Sequence, residues 1–423
     1  MAWARAALDR LPPECMSHLS PPTHAVECGV EVRASTAFSG MDAPVVSLGM
    51  IATALTAYTD ARADRADRRA PARGLQVASV FAVENNAACQ KELLHSPDGP
   101  GCLVDDVTSF VNPASLRDAQ QLPAASCSER LQTILHKPML KKAWCVRHGR
   151  LCKAARAHIH VAGHPCVHRS SYGNREGMSG AANIAFYSWT SHRRLMREPI
   201  LISDNVTEFG MDELNSCLGD LYKFERMEIN PVDLGWPSRR PRQFVIGLLV
   251  DLCSITQGIN PPSPPSPCDS PDTTLKALFV RPCKMTQDAH LISTDDERET
   301  EKTRALARPA VAERHSNAWL ASVGNKRKID LLTKLNQADP PGSFRAALSH
   351  NERLRLHAWR PSLRAGGPGH FTADLGQEPH RTVCSSWDTT LHTLIKGQGI
   401  TWVDNLNRWL TTSELFASMG PHR

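Results

Sequence analysis

The sequence lacks three features, each of which would define a class of protein. Its longest apolar run, Phe244–Cys253, has ten residues, about half of what a membrane-spanning helix needs. The N-terminus (MAWARAALDRLPPEC) has no continuous apolar segment followed by a cleavage site, so we predict no secretory signal. None of the thirteen cysteines is spaced as Cys-x-x-Cys, and an odd number argues against a disulfide scaffold. We therefore expect a protein of a reducing compartment that is neither secreted nor embedded in a membrane.

The chain has the composition of an ordinary globular protein, but its charged residues are unevenly distributed along the sequence. The chain has 423 residues, 41% of them hydrophobic and 22% charged, and a net charge of +6. Twelve of the basic residues but only one acid, Glu176, fall between Lys137 and Arg197, and six histidines lie in the same window. Such a window indicates a polyanion partner such as a nucleic acid. The alternative is a solvated basic face that binds nothing.

Short apolar runs that end in polar or glycine-containing turns predict the fold class. Continuous apolar runs are typical of buried parallel strands, and stretches of helical composition, such as Ser47–Ala57 and Ala185–Met196, lie between them. This alternation predicts an α/β fold with an open, mostly parallel, Rossmann-like sheet, whose ligands bind at the carboxyl ends of the strands. The five runs are Ala34–Phe38, Val77–Val83, Ile159–Ala162, Ile200–Ile202 and Phe244–Val250.

Composition also divides the chain into segments. Residues 254–274 contain six prolines and are expected to form a stiff linker. Ser349-x-x-Glu352 and Thr411-x-x-Glu414 each fit a capping box that opens a helix. The predicted segments are an N-terminal extension (1–33), a catalytic domain (34–253, with insertions near 59–74 and 112–150), the linker (254–274), an irregular second domain (275–380) and a C-terminal segment that returns to the catalytic domain (381–423).

Several residues at the predicted strand ends have the chemistry of a cofactor and nucleophile site. Glu84 ends a strand and is suited to accept hydrogen bonds from a ribose diol, although a plain surface acid would look the same. Asp105 or Asp106 would follow the next strand. Cys166 lies in a Gly-His-Pro-Cys loop within the basic window, where positive charge favours the nucleophilic thiolate. The alternative for Cys166 is an inert buried thiol.

A zinc site is a further alternative. The set Cys145, His148, Cys152, His158 and His160 contains the right ligand types, but its spacings fit no common structural zinc pattern. We therefore predict no metal.

The order of these motifs resembles that of the cytosine-C5 DNA methyltransferases. Phe38-Ser39-Gly40-Met41-Asp42 resembles the family's cofactor loop, Gly163-His164-Pro165-Cys166 its catalytic Pro-Cys loop, and Ile202-Ser203-Asp204-Asn205-Val206 its Glu-Asn-Val motif. Ser238-Arg239-Arg240-Pro241-Arg242 resembles its Gln-x-Arg-x-Arg motif, and Arg408–Thr411 with Glu414 resembles the helix before its last motif. The likeness covers about Phe38–Gly247 and the last twenty or so residues.

The resemblance implies an enzyme that methylates DNA with S-adenosylmethionine as the methyl donor. It implies a nuclear location, with a cytoplasmic location as the alternative. The implied catalytic residues are Cys166, Asp204 and Arg240. The implied cofactor-binding residues are Phe38, Ser39, Gly40, Met41, Asp42, Glu84, Asn85, Asp105, Asp106 and Pro165. The implied contacts to nucleic acid are Arg169, Ser171, Arg175 and Arg242.

Four positions depart from the family pattern. Asp42 replaces the second glycine of the cofactor loop, Val167 follows the Pro-Cys pair, Asp204 replaces the glutamate and Ser238 the glutamine. The chain also ends at Arg423, before the family's final Gly-Asn-Ser-Val segment. These departures leave two alternatives open: a weak or inactive methyltransferase-like protein that binds nucleic acid, and an RNA cytosine-C5 methyltransferase. Oligomeric state and target sequence are not predicted.

Overall fold

The structure is a computed structural model, and it describes most of the chain. The described residues are 31–63, 75–122, 127–165, 183–236, 238–252, 291–307, 318–335, 339–363, 371–379, 385–386, 391–392 and 400–419. They fall into two compact units, one within Met1–Ile229 and Arg242–Phe279 (the sheet unit) and the other within Asn230–Pro241 and Val280–Arg423 (the second unit). Within these ranges no helix is both long and apolar enough to span a bilayer.

A nine-stranded sheet forms the centre of the sheet unit. Its order is β5-β4-β3-β2-β1-β6-β7-β9-β8. The strands are β1 (Glu31–Ala37), β2 (Gln76–Val83), β3 (Leu103–Val104), β4 (Lys142–Cys145), β5 (Arg150–Lys153), β6 (Ile159–Ala162), β7 (Ile200–Asn205), β8 (Tyr222–Ile229) and β9 (Arg242–Leu249). Neighbours among β3, β2, β1, β6 and β7 are parallel. This is the 3-2-1-4-5 order of doubly wound α/β sheets, so the predicted fold class is confirmed.

Both edges of the sheet are antiparallel. The five predicted runs lie in β1, β2, β6, β7 and β9, and β9 runs antiparallel to β7 and to β8. The sequence did not predict β8 or the β4–β5 hairpin. The hairpin strands alternate in burial or are largely exposed, so they lack the continuous apolar run that marks a central strand.

Helices connect the strands of the sheet unit. They are α1 (Ala43–Ala63), α2 (Ala87–His95), α3 (Pro113–Gln121), α4 (Cys127–Leu135), α5 (Asn183–Met196) and α6 (Met211–Leu218), with a 3-10 turn at Val107–Phe110. Both predicted helical stretches lie inside α1 and α5. The first proposed insertion begins within α1, and the second contains α3, α4 and β4.

The core of the sheet unit contains helix α5, almost all of whose side chains are buried. Phe186, Tyr187 and Trp189 of this helix are each 1% exposed and join one apolar cluster with Phe81 and Leu201 of the sheet. Burying this apolar surface is the main stabilising contribution to the unit.

The second unit has its own small sheet and core. Four strands pair in the order β11-β10-β12-β13, all antiparallel: β10 (Thr372–Asp374), β11 (Ser385–Ser386), β12 (Thr401–Val403) and β13 (Arg408–Trp409). Its helices are α7 (Asp295–Leu306), α8 (Asn325–Leu335), α9 (His350–Leu363) and α10 (Thr412–Met419). The sheet joins β10, from the segment predicted to be the irregular second domain, to β12 and β13 from the segment predicted to return to the catalytic domain. The predicted segment boundaries stay a prediction.

Both predicted capping boxes are present in the second unit. Glu352 N–H donates to Ser349 Oγ at 3.2 Å, and Ser349 N–H donates to Glu352 Oε2 at 2.8 Å. Glu414 N–H donates to Thr411 Oγ1 at 3.4 Å, and Thr411 N–H donates to Glu414 Oε2 at 2.9 Å. Each box therefore satisfies two amide groups at the start of its helix.

Candidate functional site

The carboxyl ends of the parallel strands meet at one edge of the sheet. Ala37 pairs with Val83 on one side and with Ala162 on the other. Val83 also pairs with Val104, and Ala162 with Ser203. The loops that follow these strands therefore start level with each other, and they carry most of the sequence-predicted site residues. Ligands of open α/β sheets bind at this edge.

The loop after β1 bends sharply and is hydrogen-bonded to the end of β2. Phe38 and Asp42 have positive φ angles of 56° and 60°, as does Gly40 at 54°. Ser39 Oγ donates to Val83 O at 3.1 Å, and Gly40 N–H donates to Glu84 Oε2 at 2.7 Å. Left-handed backbone at three of five positions brings the main chain of the loop close to the sheet edge, where a ligand can approach it. Met41 is exposed there.

Glu84 is held in place by backbone amides. It is 7% exposed, and its second oxygen, Oε1, accepts from Asn86 N–H at 2.7 Å. A carboxylate offers about four lone-pair positions, so two such bonds leave acceptor capacity for a ligand diol. Asn85 is exposed, and Asn86 caps helix α2. The contacts fit a carboxylate that is oriented in advance.

Asp42 has a structural explanation. Its φ of 60° is a conformation that glycine adopts easily and that aspartate tolerates better than most residues. The side chain is 5% exposed and accepts from Ser79 Oγ at 3.1 Å. Burial raises the pKa of Asp42, while hydrogen bonds from Thr36 and Ser79 act in the opposite direction. The aspartate thus keeps the backbone shape of a glycine and places its carboxyl in the protein interior.

The acidic pair after β3 divides into two roles. Asp106 Oδ1 accepts from both Thr108 N–H at 2.7 Å and Thr108 Oγ1 at 2.8 Å, so Asp106 caps the 3-10 turn. Asp105 is half-buried, and its Oδ1 accepts from Asp106 N–H at 2.8 Å and from Ser109 Oγ at 3.1 Å. Because Asp106 serves as a cap, Asp105 is the better candidate for a ligand contact.

A buried histidine links the loop after β6 to the end of β7. His164 is 3% exposed, and its Nε2 lies 2.9 Å from Ser203 Oγ. Its Nδ1 lies 2.7 Å from Asn205 Nδ2. The amide nitrogen can only donate, so Nδ1 accepts and Nε2–H donates to the serine. Asn205 Oδ1 also accepts from Val206 N–H at 2.8 Å. This network joins the residue before Pro165 to both neighbours of Asp204.

Asp204 is paired with an arginine of the neighbouring strand. Arg242 Nε lies 3.7 Å from Asp204 Oδ1, and the side chains are 19% and 37% exposed respectively. Ser203 and Asn205 are buried on the other side of β7, so Asp204 points away from His164. Arg240 is exposed and belongs to the second unit, where its amide donates to Asn230 Oδ1 at 3.1 Å. The contact of Arg242 with nucleic acid stays a prediction, and the structure in addition pairs Arg242 with Asp204.

The remaining predicted residues lie outside the described part of the chain. They are Cys166, Arg169, Ser171 and Arg175. Pro165, directly before the cysteine, is described and half-buried.

Three members of the cysteine–histidine set converge with a residue that the sequence did not include. Cys145, His148 and Cys152 lie beside Cys102, and one donor atom from each lies within 4.8 Å of the others. Burial, followed by the nearby thiols of Cys145 and Cys152, raises the pKa of Cys102 to about 12. Cys102 lies more than forty residues earlier in the chain, so no local spacing indicated it.

The two other histidines of that set have different partners. His158 Nδ1 accepts from Arg33 N–H at 3.1 Å. His160 is fully buried, where Trp189 Nε1 donates to its Nε2 at 2.9 Å and its Nδ1 lies 2.8 Å from Ser35 Oγ. Burial, and then the positive charge of Arg193, lowers the pKa of His160 well below its ordinary value. His160 is therefore a neutral core residue.

A cavity of about 710 Å³ opens at the opposite end of the sheet. Its lining includes Arg33, Lys153 and Arg156, near the amino ends of β1 and β6. Ligands of doubly wound sheets bind at the carboxyl ends. We therefore assign the candidate site to the loops described above and not to this cavity.

Comparison with known proteins adds two structural likenesses. No model of a protein family matches the chain, and no curated protein matches it. A prophage-encoded E. coli protein described as a DNA modification methyltransferase is 15% identical with a TM-score of 0.32, over 63% of this chain and 56% of its own. The S. pombe Dnmt2 methyltransferase is 14% identical with a TM-score of 0.27, over 52% of this chain and 51% of its own. The match spans about half the length of each.

Both solved structures are described as methyltransferases, the same class as the family that the motifs resemble. At these scores and identities the likeness itself assigns no activity. The functional argument therefore depends on the residues of this chain.

Proposed function

We propose that this protein transfers a methyl group from S-adenosylmethionine to C5 of cytosine in DNA, through a covalent adduct with Cys166. The observation that supports this most directly is the buried His164 network. It ties the backbone that leads into Pro165 and Cys166 to the strand that carries Asp204. A nucleophile and an acid that act on one ring must keep a constant separation, and a buried hydrogen-bond network provides such rigidity.

The loops at the sheet edge fit the proposed cofactor. Glu84 is oriented by two amides and retains acceptor capacity for the ribose hydroxyls. Asp105 suits the adenine amino group, since its neighbour Asp106 is occupied as a cap. The left-handed loop 38–42 allows the main chain to approach the ligand closely. When bound, the cofactor supplies a methyl group activated by an adjacent sulfonium.

The chemistry requires a nucleophile because cytosine C5 is itself a poor one. Addition of the Cys166 thiolate to C6 makes C5 electron-rich, and Asp204 would donate a proton at N3 to neutralise the charge that develops. Arg242, which is ion-paired with Asp204, is the better candidate for the contact to the base O2 that the motifs assigned to Arg240. After C5 is methylated, water takes the C5 proton and N3 returns its proton to Asp204, so that the thiolate is expelled and the ring is restored.

The basic window fits a nucleic-acid substrate. A base in a duplex must leave the stack to reach a thiol in a loop, and Lys and Arg side chains hold the phosphates while it does. Binding that depends on exposed basic residues of this window, such as Lys141, Lys142 and Arg150, should weaken steeply with salt. A DNA substrate in turn supports a nuclear location for the protein.

Transfer of labelled methyl groups from S-adenosylmethionine to a cytosine-containing duplex tests the proposal. Cys166→Ser should abolish the transfer, while Cys217→Ala, a cysteine of α6, should retain it. Asp204→Asn should reduce the rate by about 10²–10⁴-fold, the usual contribution of a general acid. A duplex with 5-fluorocytosine should trap the wild-type chain, because fluorine cannot leave C5 as a cation in the way that a proton does. Cys166→Ser activity equal to wild type would contradict the assignment of the nucleophile.

The same assay distinguishes the alternatives. Transfer to transfer RNA but not to duplex DNA would replace the substrate class and leave the chemistry unchanged. Salt-sensitive DNA binding without transfer and without S-adenosylmethionine binding would indicate an inactive binding protein and would refute the enzyme proposal.

A further inference from the structure

Four potential metal ligands converge at the edge of the sheet next to β3. Cys145 ends β4, His148 lies in the turn that follows, and Cys152 lies in β5. Cys102 directly precedes β3. His148 Nδ1 lies 3.3 Å from Cys145 Sγ, 3.4 Å from Cys152 Sγ and 3.7 Å from Cys102 Sγ. Three sulfur atoms therefore surround a single nitrogen.

Hydrogen bonding does not account for this arrangement. An imidazole nitrogen makes one hydrogen bond, as donor or as acceptor, along a single direction in the plane of the ring. It therefore cannot be hydrogen-bonded to three thiols at once. The distances match those around a metal ion instead. With Zn–S of about 2.3 Å, Zn–N of about 2.0–2.1 Å and tetrahedral angles, sulfur and nitrogen ligands lie about 3.6 Å apart. The three observed sulfur–nitrogen separations range from 3.3 Å to 3.7 Å, so each lies within 0.3 Å of this value.

The donor set selects zinc. Three thiols and one imidazole form one of the common structural zinc sites, with all four positions filled by protein. Donor atoms that all lie within 4.8 Å of one another have room for one ion between them. Soft sulfur ligands disfavour magnesium and calcium, which take oxygen ligands.

The surroundings also suit such a site. Three thiolates around Zn²⁺ leave one negative charge, and the hairpin that supplies three of the ligands also carries Lys142, Arg150 and Lys153. Cys145 is buried and His148 is exposed, so an ion can enter from the solvent side. His148 is followed by Gly149 at φ 59°, which lets the turn bring the imidazole back towards Cys145.

We propose that Cys102, Cys145, His148 and Cys152 bind one zinc ion that fastens the β4–β5 hairpin to β3. The ladder at this place is short: it pairs Val104 with Cys145, and Val146 N–H donates to Leu103 O at 2.7 Å. A short two-stranded hairpin is only marginally stable by itself, so a metal bridge to Cys102 supplies the missing restraint. The site does not depend on the proposed methyl transfer, although it stabilises the strand that leads to Asp105.

Metal analysis of the full chain, purified under reducing conditions, tests this inference. We expect about one zinc ion per chain, as a closed four-ligand site requires. Cys102→Ser should remove most of it, and so should His148→Ala. Cys89→Ser, a cysteine of α2 outside the cluster, and His95→Gln should keep the full content. A wild-type chain that carries no zinc and binds none when zinc is added would overturn the proposal. So would a Cys102→Ser chain with the content of the controls.

A second measurement covers the case in which the variants do not fold. Cobalt(II) added to the wild-type chain after removal of zinc should give the visible bands of a tetrahedral thiolate site. His148→Cys preserves four ligands and should still bind one ion, with a shifted cobalt spectrum. Mass analysis after thiol alkylation should find Cys102, Cys145 and Cys152 reduced and slow to react until a chelator is added. A disulfide between any two of them, or alkylation at equal rates with and without the chelator, would refute a zinc site.

Discussion

Replacement of Asn205 by alanine tests the structural basis of the candidate site. The Asn205 amide donates to His164 Nδ1 at 2.7 Å and accepts from Val206 N–H at 2.8 Å. Asn205 is 5% exposed and His164 3%, so water cannot easily replace either bond. Each buried polar group left without a partner costs about 1–3 kcal/mol. His164 Nδ1 and Val206 N–H each lose one bond, so we expect the free energy of unfolding to fall by about 2–6 kcal/mol.

Stability and activity should change together in this variant. For a unit of this size the loss corresponds to a fall in Tm of roughly 4–24 °C, which calorimetry or circular dichroism would measure. If the proposed function is right, kcat for methyl transfer should also fall, by about a hundredfold for a displacement of about 1 Å. The KM for S-adenosylmethionine should change less than kcat, because all the proposed cofactor-binding residues except Pro165 lie in loops that follow other strands.

Asn215→Ala provides the matched control for this experiment. Asn215 is an exposed residue of α6, and a surface change of this kind is expected to alter stability by about 0.5 kcal/mol or less. If Asn205→Ala were as stable as the control, we would conclude that the buried network does not restrain the loop before Cys166. The network would then no longer support the proposed function.

Three further predictions concern the two cores. Glu414 is fully buried, and Arg408 donates to both of its carboxylate oxygens. Glu414→Gln should lower the free energy of unfolding, measured by chemical denaturation, by about 3–5 kcal/mol. A decrease below 1 kcal/mol would contradict a buried ion pair between Glu414 and Arg408. Because burial lowers the pKa of His160, only the unfolded chain protonates this histidine below pH about 6.5. The free energy of unfolding should therefore fall by about 1.4 kcal/mol for each pH unit below that value. In His160→Gln the dependence of this free energy on pH should be smaller by the same amount, and an unchanged dependence would mean that His160 is protonated in the fold. Gly247→Ala would place a methyl group 2.6 Å from the phenylalanine ring that faces it in β8 and should destabilise the protein by about 1–3 kcal/mol. Gly49→Ala places its methyl group in open space on helix α1 and should stabilise the protein by about 0.5–1 kcal/mol. Equal effects of the two substitutions on stability would be inconsistent with the packing.

The pKa of Glu414 adds a pH dependence with a definite sign. Burial opposes ionisation, but hydrogen bonds from Arg408, Thr411 and Ser293 hold the pKa below its ordinary value. The carboxylate therefore contributes stability above its unfolded pKa, and the contribution is lost as the pH falls through the lower folded pKa. Glu414→Gln removes this dependence in the same denaturation series.

Much of the candidate site could be predicted because it depends on local order along the chain. The runs that became β1, β2 and β6 each end in at least three consecutive buried residues, and strands buried on both faces are typically continuously apolar. The polar residues directly after them then reach one edge of the sheet. Glu84 is the clearest example, since its position follows from the end of β2 alone.

Other assignments needed the fold. Asp42 departs from the glycine of the family pattern, and only its φ of 60° and its contact with Ser79 explain why an aspartate fits there. Arg242 is paired with Asp204, because the antiparallel pairing of β9 with β7 places these two side chains together. Arg242 is the first residue of β9, whereas Arg240 precedes the strand by two residues, and the sequence does not specify where the strand pairing begins.

The amino-acid sequence by itself determined the α/β class, the order of the strand-end motifs and the concentration of positive charge, because hydrophobic periodicity and composition are local properties. The tertiary structure decided which distant side chains meet. His164 connects two strand ends, and Cys102 joins three residues that follow it by more than forty positions. Sheet pairing sets these distances, and a spacing along the chain cannot reveal them when the residues come from different strands.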